Sequence, residues 1–530
     1  MRQADGGVRR AGAVMAAGTL ASRATGFLRT TVMFWALGAA GLGNIYNVTN
    51  VIPNVLYDLL LGGILGGVLV PLLVEAKRDE DGGLAFARSL LTITAVGLGA
   101  LTLLAVVFAP EIATLYSFHG EQHALAVTFL RFFLPQIVFY GLSAVSAAIL
   151  NTRDRYGAPM VAPAITNVIT IGVFLVFIAL PGGSNPAHLT TAQKVTLGLG
   201  TTLGIAAMWI AVLPSMRQVG VTFRPTWALR HPGLTDAWAL SRWVLAYVVV
   251  NQLGFFVITL FAGRADQFAV YSAGYQILQL PHAIIAVSVI TALQPRIAAA
   301  AIEGRAFDTG RDVAAGIRTI LALLLPATAT LVVLGPSLAT VAFAHGQTTR
   351  AQGQVIGQTV IAFGAGLVAF SVYQLAIRCF YSMKDTKTPF RINLVVTIVN
   401  IGVDLAAYAL VPRNRVAVAF AVGLSLSYLV GALVSTVLLS RRVGDVRAAY
   451  IRRIAARCTL AATVAALAAS ATCLTLGAAG ISGSTFGSLV RIVVGSAVVA
   501  VVYVRLAARM RVHEVRSAVA ILTRLVRRAA

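Results

Sequence analysis

Residues 86–109 read Phe-Ala-Arg-Ser-Leu-Leu-Thr-Ile-Thr-Ala-Val-Gly-Leu-Gly-Ala-Leu-Thr-Leu-Leu-Ala-Val-Val-Phe-Ala, 24 residues with one charge, Arg88. As a helix this stretch is about 36 Å long, enough to cross the ~30 Å hydrocarbon core of a bilayer. Its charged end adjoins Lys77-Arg78-Asp79-Glu80-Asp81. Thirteen further stretches of this kind lie at 12–36, 44–74, 122–150, 158–180, 195–214, 236–262, 267–297, 313–335, 353–382, 388–410, 416–439, 453–478 and 484–508. Read as spans, they sort the cations. The N-terminus, the even-numbered loops and the C-terminal tail hold 24 of the 42 Lys and Arg, whereas the odd-numbered loops hold five: Lys194, Arg264, Arg350, Arg413 and Arg415. Such a bias sets topology. The expectation is an all-α polytopic membrane protein of 14 transmembrane helices with both termini cytoplasmic.

Composition agrees. With 58% hydrophobic and 11% charged residues and a mean hydropathy of +0.84, the chain lacks the charged shell a soluble enzyme of 530 residues needs. The formal charge of +24 would suggest nucleic acid in a soluble protein. Here the cations sit in short loops facing an anionic inner leaflet, worth roughly 1 kcal/mol each near the surface, so membrane lipids are the partner and nucleic acid is not. The three cysteines, Cys379, Cys458 and Cys473, lie in spans without pairing or metal spacing and read as buried thiols. The tail 509–530 carries Arg509, Arg511, Arg516, Arg524, Arg527 and Arg528; from Val515 it reads as an amphipathic helix for the inner membrane surface.

A faint repeat runs at about 230 residues. Tyr46 and Pro53 match Tyr275 and Pro281; Arg153-Asp154 with Pro159 match Lys384-Asp385 with Pro389. Two six-span halves of like orientation follow, as in parallel-repeat transporters. The domains expected are an N-terminal lobe at 1–214, a C-terminal lobe at 215–440, an extra pair of spans at 441–508 and the tail at 509–530.

Several residues could carry chemistry. The second span holds Asn44, Asn47, Asn50, Asn54 and Asp58, and the last four share a sector of about 80°. A polar ridge cannot face lipid. It either lines a cavity or bridges helices, at about 1 kcal/mol per amide. Gly62, Gly63, Gly66 and Gly67 follow, small residues four apart that serve close packing or a hinge. Arg23 and Arg29 interrupt the first span, where a charge costs at least ~2.5 kcal/mol. Such guanidiniums face an anion, pair with a carboxylate such as Asp58, or snorkel; their planar fork suits phosphate oxygens. Asn251, Gln252, Gln276 and Gln279 mirror the second span as cavity lining or helix bridges. Asn400 and Asp404 share a helix face and suit Na+ or H+, with an arginine pair as the alternative. The sequence has no Walker A loop, His-Glu-x-x-His or Gly-x-Ser-x-Gly motif. Neither an enzyme nor a bound cofactor is expected, which leaves an ion gradient or the membrane potential to drive transport.

Particular motifs resemble one family. Leu20-Ala-Ser-Arg-Ala-Thr-Gly-Phe-Leu-Arg29 is similar to the Ser-Arg-x-x-Gly-Phe-x-Arg opening of the MurJ/MviN lipid II flippases. Ile52-Pro-Asn-Val-Leu56 through Val70-Pro71 resembles its Leu-Pro-Asn-Leu-Leu…Val-Pro segment. Ala148-Ile-Leu-Asn-Thr-Arg153 and Phe380-Tyr-Ser-Met-Lys-Asp-Thr-Lys-Thr-Pro389 resemble its two inner loops. The resemblance implies a carrier of the multidrug/oligosaccharidyl-lipid/polysaccharide exporter superfamily that moves lipid II to the outer leaflet of the bacterial plasma membrane for cell-wall synthesis. It implies that Arg23 and Arg29 meet the diphosphate, that spans 13 and 14 form a lipid-tail groove, and that other cell-wall synthesis proteins are potential partners. Asn400 and Asp404 match sodium ligands of some members in spacing. The chain also departs from the family: Asn44, Tyr57, Asp58, Gly62, Gln276 and Gln279 stand where well-studied members carry charged groups. Half of the usual arginine cluster is missing. That leaves open another polyprenyl-diphosphate-linked glycan, a cation-coupled drug exporter, or a non-transporting scaffold for wall synthesis.

Overall fold

The structure is a computed structural model that describes residues 2–60, 70–116, 118–227, 234–444, 447–481 and 484–520. Helices joined by short turns and loops make up these residues, with no strand among them. Twelve helices among the described residues are long and apolar enough to cross a membrane, and they fall on the third to fourteenth expected spans. Helices α1 (Arg2–Leu37), α2 (Leu42–Leu60) and α3 (Val70–Ala76) cover the first two expected stretches. Gly62, Gly63, Gly66, Gly67 and the Asp58 side chain lie outside the described residues.

The chain forms two compact units, Met1–Ala269 with Gly346–Thr348, and Val270–His345 with Thr349–Ala530. The first contains α1 to α3, α4 (Leu84–Val107), α5 (Ala109–Leu115), α6 (Gly120–Phe133), α7 (Gln136–Thr152), α8 (Gly157–Ala179), α9 (Thr191–Ile210), α10 (Leu213–Gln218) and α11 (Leu234–Arg264). The fourth expected span is α6 plus α7, interrupted at Leu134-Pro135 because proline lacks the helix-propagating N–H. One core packs inward-facing apolar residues of α4, α7 and α9, among them Leu90, Leu142, Ile149 and Met208. Polar contacts tie the inner loops to it. Arg153 donates to the Gly82 and Val219 carbonyls at 2.9 and 3.1 Å, and Arg88 to the Gly220 carbonyl at 3.2 Å.

The second unit contains α12 (Phe268–Pro281, from Val270 onward), α13 (Val287–Ile302), α14 (Ala306–Phe343), α15 (Arg350–Ser382), α16 (Lys387–Leu410), α17 (Val416–Val443), α18 (Ala448–Ala478) and α19 (Thr485–Arg509). Helices α14 and α15 approach closely through glycine. A Cβ on Gly357 would meet Pro336 Cα at 2.5 Å, and one on Gly335 would meet the Gly357 carbonyl oxygen at 2.8 Å. Small residues at a crossing allow such backbone contact. A separate cluster joins α14, α18 and α19 through Ala322, Cys458, Ala465, Val499 and Tyr503. The tail turns helical at 513–520. Its first turn packs on protein: Val512 and Val515 enter this cluster, and Glu514 pairs with Arg318 at 2.9 Å.

Backbone geometry carries the internal repeat more plainly than the side chains do. The Arg155 N–H bonds to the Leu150 carbonyl at 2.9 Å, and the Asp385 N–H to the Phe380 carbonyl at 3.0 Å. In each turn the preceding residue is left-handed, Asp154 at φ 60° and Lys384 at φ 58°. Asp154 is therefore the counterpart of Lys384 in the repeat, one residue away from the pairing that like charges suggest.

Candidate functional site

Arg23 and Arg29 both lie on α1, Arg23 exposed and Arg29 half-buried. Neither makes a hydrogen bond or ion pair among the described residues, and Arg29 lies within electrostatic reach of the Tyr46 hydroxyl. The helix that carries them is clamped by a neighbour. Asn167 of α8, buried, donates to the Ser22 carbonyl at 3.2 Å and to the Thr25 hydroxyl at 3.1 Å, on either side of Arg23. Gly26 lies beside this amide, and a Cβ there would sit in ordinary contact with Asn167 Nδ2, at 3.4 Å. The sequence reading missed Asn167, although an amide in an otherwise apolar span was the available signal.

The amides of α2 divide in role. Asn44, 2% exposed, donates through Nδ2 to the Gly263 carbonyl at 3.1 Å and accepts the Phe268 N–H at 3.0 Å. It is a tie between α2 and the end of α11. Asn47 donates to the Gly43 carbonyl at 2.8 Å and contacts the Met33 sulfur of α1 at 3.4 Å; Asn54 donates to the Asn50 carbonyl at 3.2 Å. Both are half-buried. The Asn50 Oδ1 is buried without a partner among the described residues, so it retains hydrogen-bonding capacity. Opposite them, Gln252 is buried and donates to the Val55 carbonyl at 3.3 Å, which makes it a helix bridge, whereas its neighbour Asn251 is exposed. Adjacent helix residues point about 100° apart. Between Asn44 and Asn47 on α2, Tyr46 bonds to the Thr201 hydroxyl at 2.7 Å inside a cage of Phe129, Phe133 and Phe174.

In the second unit Gln276 and Gln279 are half-buried on α12. One turn on, Pro281 interrupts the α-helical bonding and His282–Ala286 form a π-helical turn. It puts His282 Nδ1 2.9 Å from Ser371 Oγ. The Ser371 hydroxyl donates its own hydrogen to the Leu367 carbonyl at 2.9 Å, so the ring nitrogen is the donor in this pair. π-turns of this kind frequently mark functional positions, and the histidine was not singled out by sequence. On α16, Asn400 Nδ2 donates to Asp404 Oδ2 at 3.0 Å, as their shared face predicts. Asp404 is fully buried, and its Oδ1 has no partner among the described residues. Gly423 of α17 admits that oxygen, since a Cβ there would lie 2.6 Å away, and Tyr271 is within its electrostatic reach. No group of three or more His, Cys, Asp or Glu side chains that could hold a metal ion occurs among the described residues.

Long apolar helices, cations inside one of them, and buried amides and a carboxylate at membrane depth define a polytopic helical membrane transporter. A model of the family described as Lipid II flippase MurJ matches residues 33–495. The Lipid II flippase MurJ of Burkholderia cenocepacia is 29% identical over 433 residues, covering 79% of this chain and 81% of that protein. The Probable lipid II flippase MurJ of Haemophilus influenzae is 26% identical over 430 residues, covering 77% and 82%. In fold, the chain is similar to a lipid II flippase MurJ in an inward closed conformation, with TM-score 0.75 and 20% identity over 94% of this chain and 99% of that one. It is also similar to an inward-facing multidrug resistance MATE family transporter of the MOP superfamily, with TM-score 0.63 and 14% identity over 79% and 95%. The chain belongs to the lipid II flippase MurJ family.

Proposed function

We propose that this chain is a lipid II flippase of the bacterial inner membrane, a carrier rather than an enzyme, that turns the lipid-linked peptidoglycan precursor from the inner to the outer leaflet. The observation that carries the reading, beside family membership, is the pair Arg23 and Arg29. Both are held on a helix clamped by Asn167, without a carboxylate partner among the described residues. Two guanidiniums so placed offer a planar fork to a diphosphate, and the charge cost of keeping them there is offset when the anion binds. Asn47, Asn50 and Asn54 supply sugar-facing amides in this reading, all three being half-buried on α2. Asn251, Gln276, Gln279 and Asp58 complete the substrate set in this reading, with Gln252 as their support.

Lobes at 1–214 and 215–440 would rock about Gly62, Gly63, Gly66 and Gly67, while spans 13 and 14 (441–508) guide the polyprenyl tail. An inside-negative potential returns empty, arginine-bearing α1 inward. Asn400 and Asp404 are the candidate site for Na+ or H+, which favours a coupled cycle. Other cell-wall synthesis proteins are the expected protein partners. The test is binding of purified chain to lipid II, undecaprenyl phosphate and a neutral glycolipid. Wild type should prefer lipid II, and the Arg23→Ala/Arg29→Ala variant should lose that preference. Equal binding of all three lipids by wild type would overturn the reading.

A further inference from the structure

Arg491 lies on α19, seven residues in from Ser484, and is half-buried. Its side chain runs back toward the helix start. A Cβ on Gly477 would sit 2.7 Å from Arg491 Nη2, so the guanidinium rests on α18 one residue before that helix ends. It is therefore level with the helix ends that the Lys/Arg sorting assigns to the outer face, the depth of lipid phosphates. Its Nε is buried and makes no hydrogen bond among the described residues. The helices packed against α19 are α14 and α18. No Asp or Glu occurs anywhere from residue 313 to 384 or from 446 to 513, so neither helix can offer a carboxylate at this depth. The ionisable side chain of α18 at this end is Cys473, within electrostatic reach of Arg491. At the same ends of α18 and α19, Leu474 and Phe486 are more than half exposed, an apolar surface suited to acyl or prenyl chains.

A guanidinium so placed needs an acceptor. The C-terminal carbonyls of α18 supply part of it through the helix dipole, worth well under the demand of a fixed cation with five donors. We propose that Arg491, at the outer ends of α18 and α19, is a binding site for a lipid-borne phosphate. Two lipids present this chemistry to the outer leaflet: an anionic phospholipid, and the polyprenyl diphosphate once it has been turned over. The second source rests on the flippase reading, while the first stands without it. In either case the phosphate accepts from the terminal Nη groups of Arg491, and its chains lie along Leu474 and Phe486.

The test is native mass spectrometry of the full chain in detergent with three probes: phosphatidylglycerol, lipid II, and diacylglycerol as the phosphate-free lipid. Arg491→Gln should lower retention of phosphatidylglycerol, of lipid II or of both by about tenfold, the scale of a lost charge-assisted hydrogen bond. Arg491→Lys should retain most of it, and diacylglycerol should be unaffected by either change. Loss confined to phosphatidylglycerol identifies bulk phospholipid as the ligand, and loss confined to lipid II identifies the turned-over substrate. Wild-type retention of both phosphate lipids by Arg491→Gln overturns the site. So does an equal loss of diacylglycerol, which would make the position an apolar seat. Failure of the flippase reading would show in the Arg23/Arg29 variants and would leave the phosphatidylglycerol result standing.

Discussion

Replacing Asn44 by alanine separates a structural tie from a substrate contact. The amide satisfies two backbone groups, the Phe268 N–H at 3.0 Å and the Gly263 carbonyl at 3.1 Å. Phe268 is 2% exposed, so its N–H would find no water and would incur the full desolvation penalty, about 1–3 kcal/mol. Gly263 is half-buried and its carbonyl can recruit water, so about 1 kcal/mol is lost there. Together Asn44→Ala should destabilise the fold by roughly 2–4 kcal/mol. Asn44→Asp keeps the acceptor but sets a buried carboxylate oxygen against the Gly263 carbonyl, so it should destabilise at least as much as Asn44→Ala. The assay is reversible unfolding in mixed micelles with rising denaturing detergent, read by tryptophan fluorescence. An Asn44→Ala variant within about 0.5 kcal/mol of wild type that had lost lipid II binding would refute the assignment and return Asn44 to the binding surface.

Three further outcomes follow from the geometry. Gly357→Ala should cost about 1–3 kcal/mol in the same unfolding assay, because the new methyl meets Pro336 backbone rather than a side chain that can swing away. Burial of the Asp385 carboxyl opposes its charge. The Thr388 N–H and hydroxyl and the Arg442 guanidinium outweigh that and hold it below the ordinary value of about 3.9. Its contribution to stability is thus complete above about pH 4 and fades as pH falls through the lowered value, so the unfolding midpoint should drop there in wild type and less in Asp385→Asn. Asp404→Asn should preserve lipid II binding and abolish the response of transport to an imposed Na+ or H+ gradient in proteoliposomes; an unchanged gradient response refutes the ion role.

Much of the fold was legible because length and hydropathy dominate in a bilayer: a stretch such as 86–109 has no other stable form once its backbone must bond internally. The arginines of α1 were legible for the same reason, since a charge in an apolar run is conspicuous. What stayed hidden depends on which faces meet. Four amides on α2 look alike in sequence, yet Asn44 reaches the end of α11 and the first residue of α12, Asn47 and Asn54 turn back on their own helix, and the Asn50 oxygen is left buried without a partner among the described residues. The Gly335/Gly357 contact and the His282–Ser371 pair join residues far apart along the chain, and no local pattern announces them. Arg491 was equally visible as a residue, but its unanswered Nε needed the neighbouring helices to be known.

The matching turns at Asp154 and Lys384 bear on how the two halves have diverged. A positive φ disfavours most residues through Cβ contact with the backbone, while the outward-pointing head group is nearly irrelevant to it. Selection at these sites therefore acts on a torsion and leaves charge free to drift, which is how an acid and a base come to hold the same place. Asparagine or glycine at either position should be accepted as readily as the resident residue, and a β-branched one rejected at both. Ancestral reconstruction of the duplication would accordingly gain more from aligning turn geometry than from aligning residue identity.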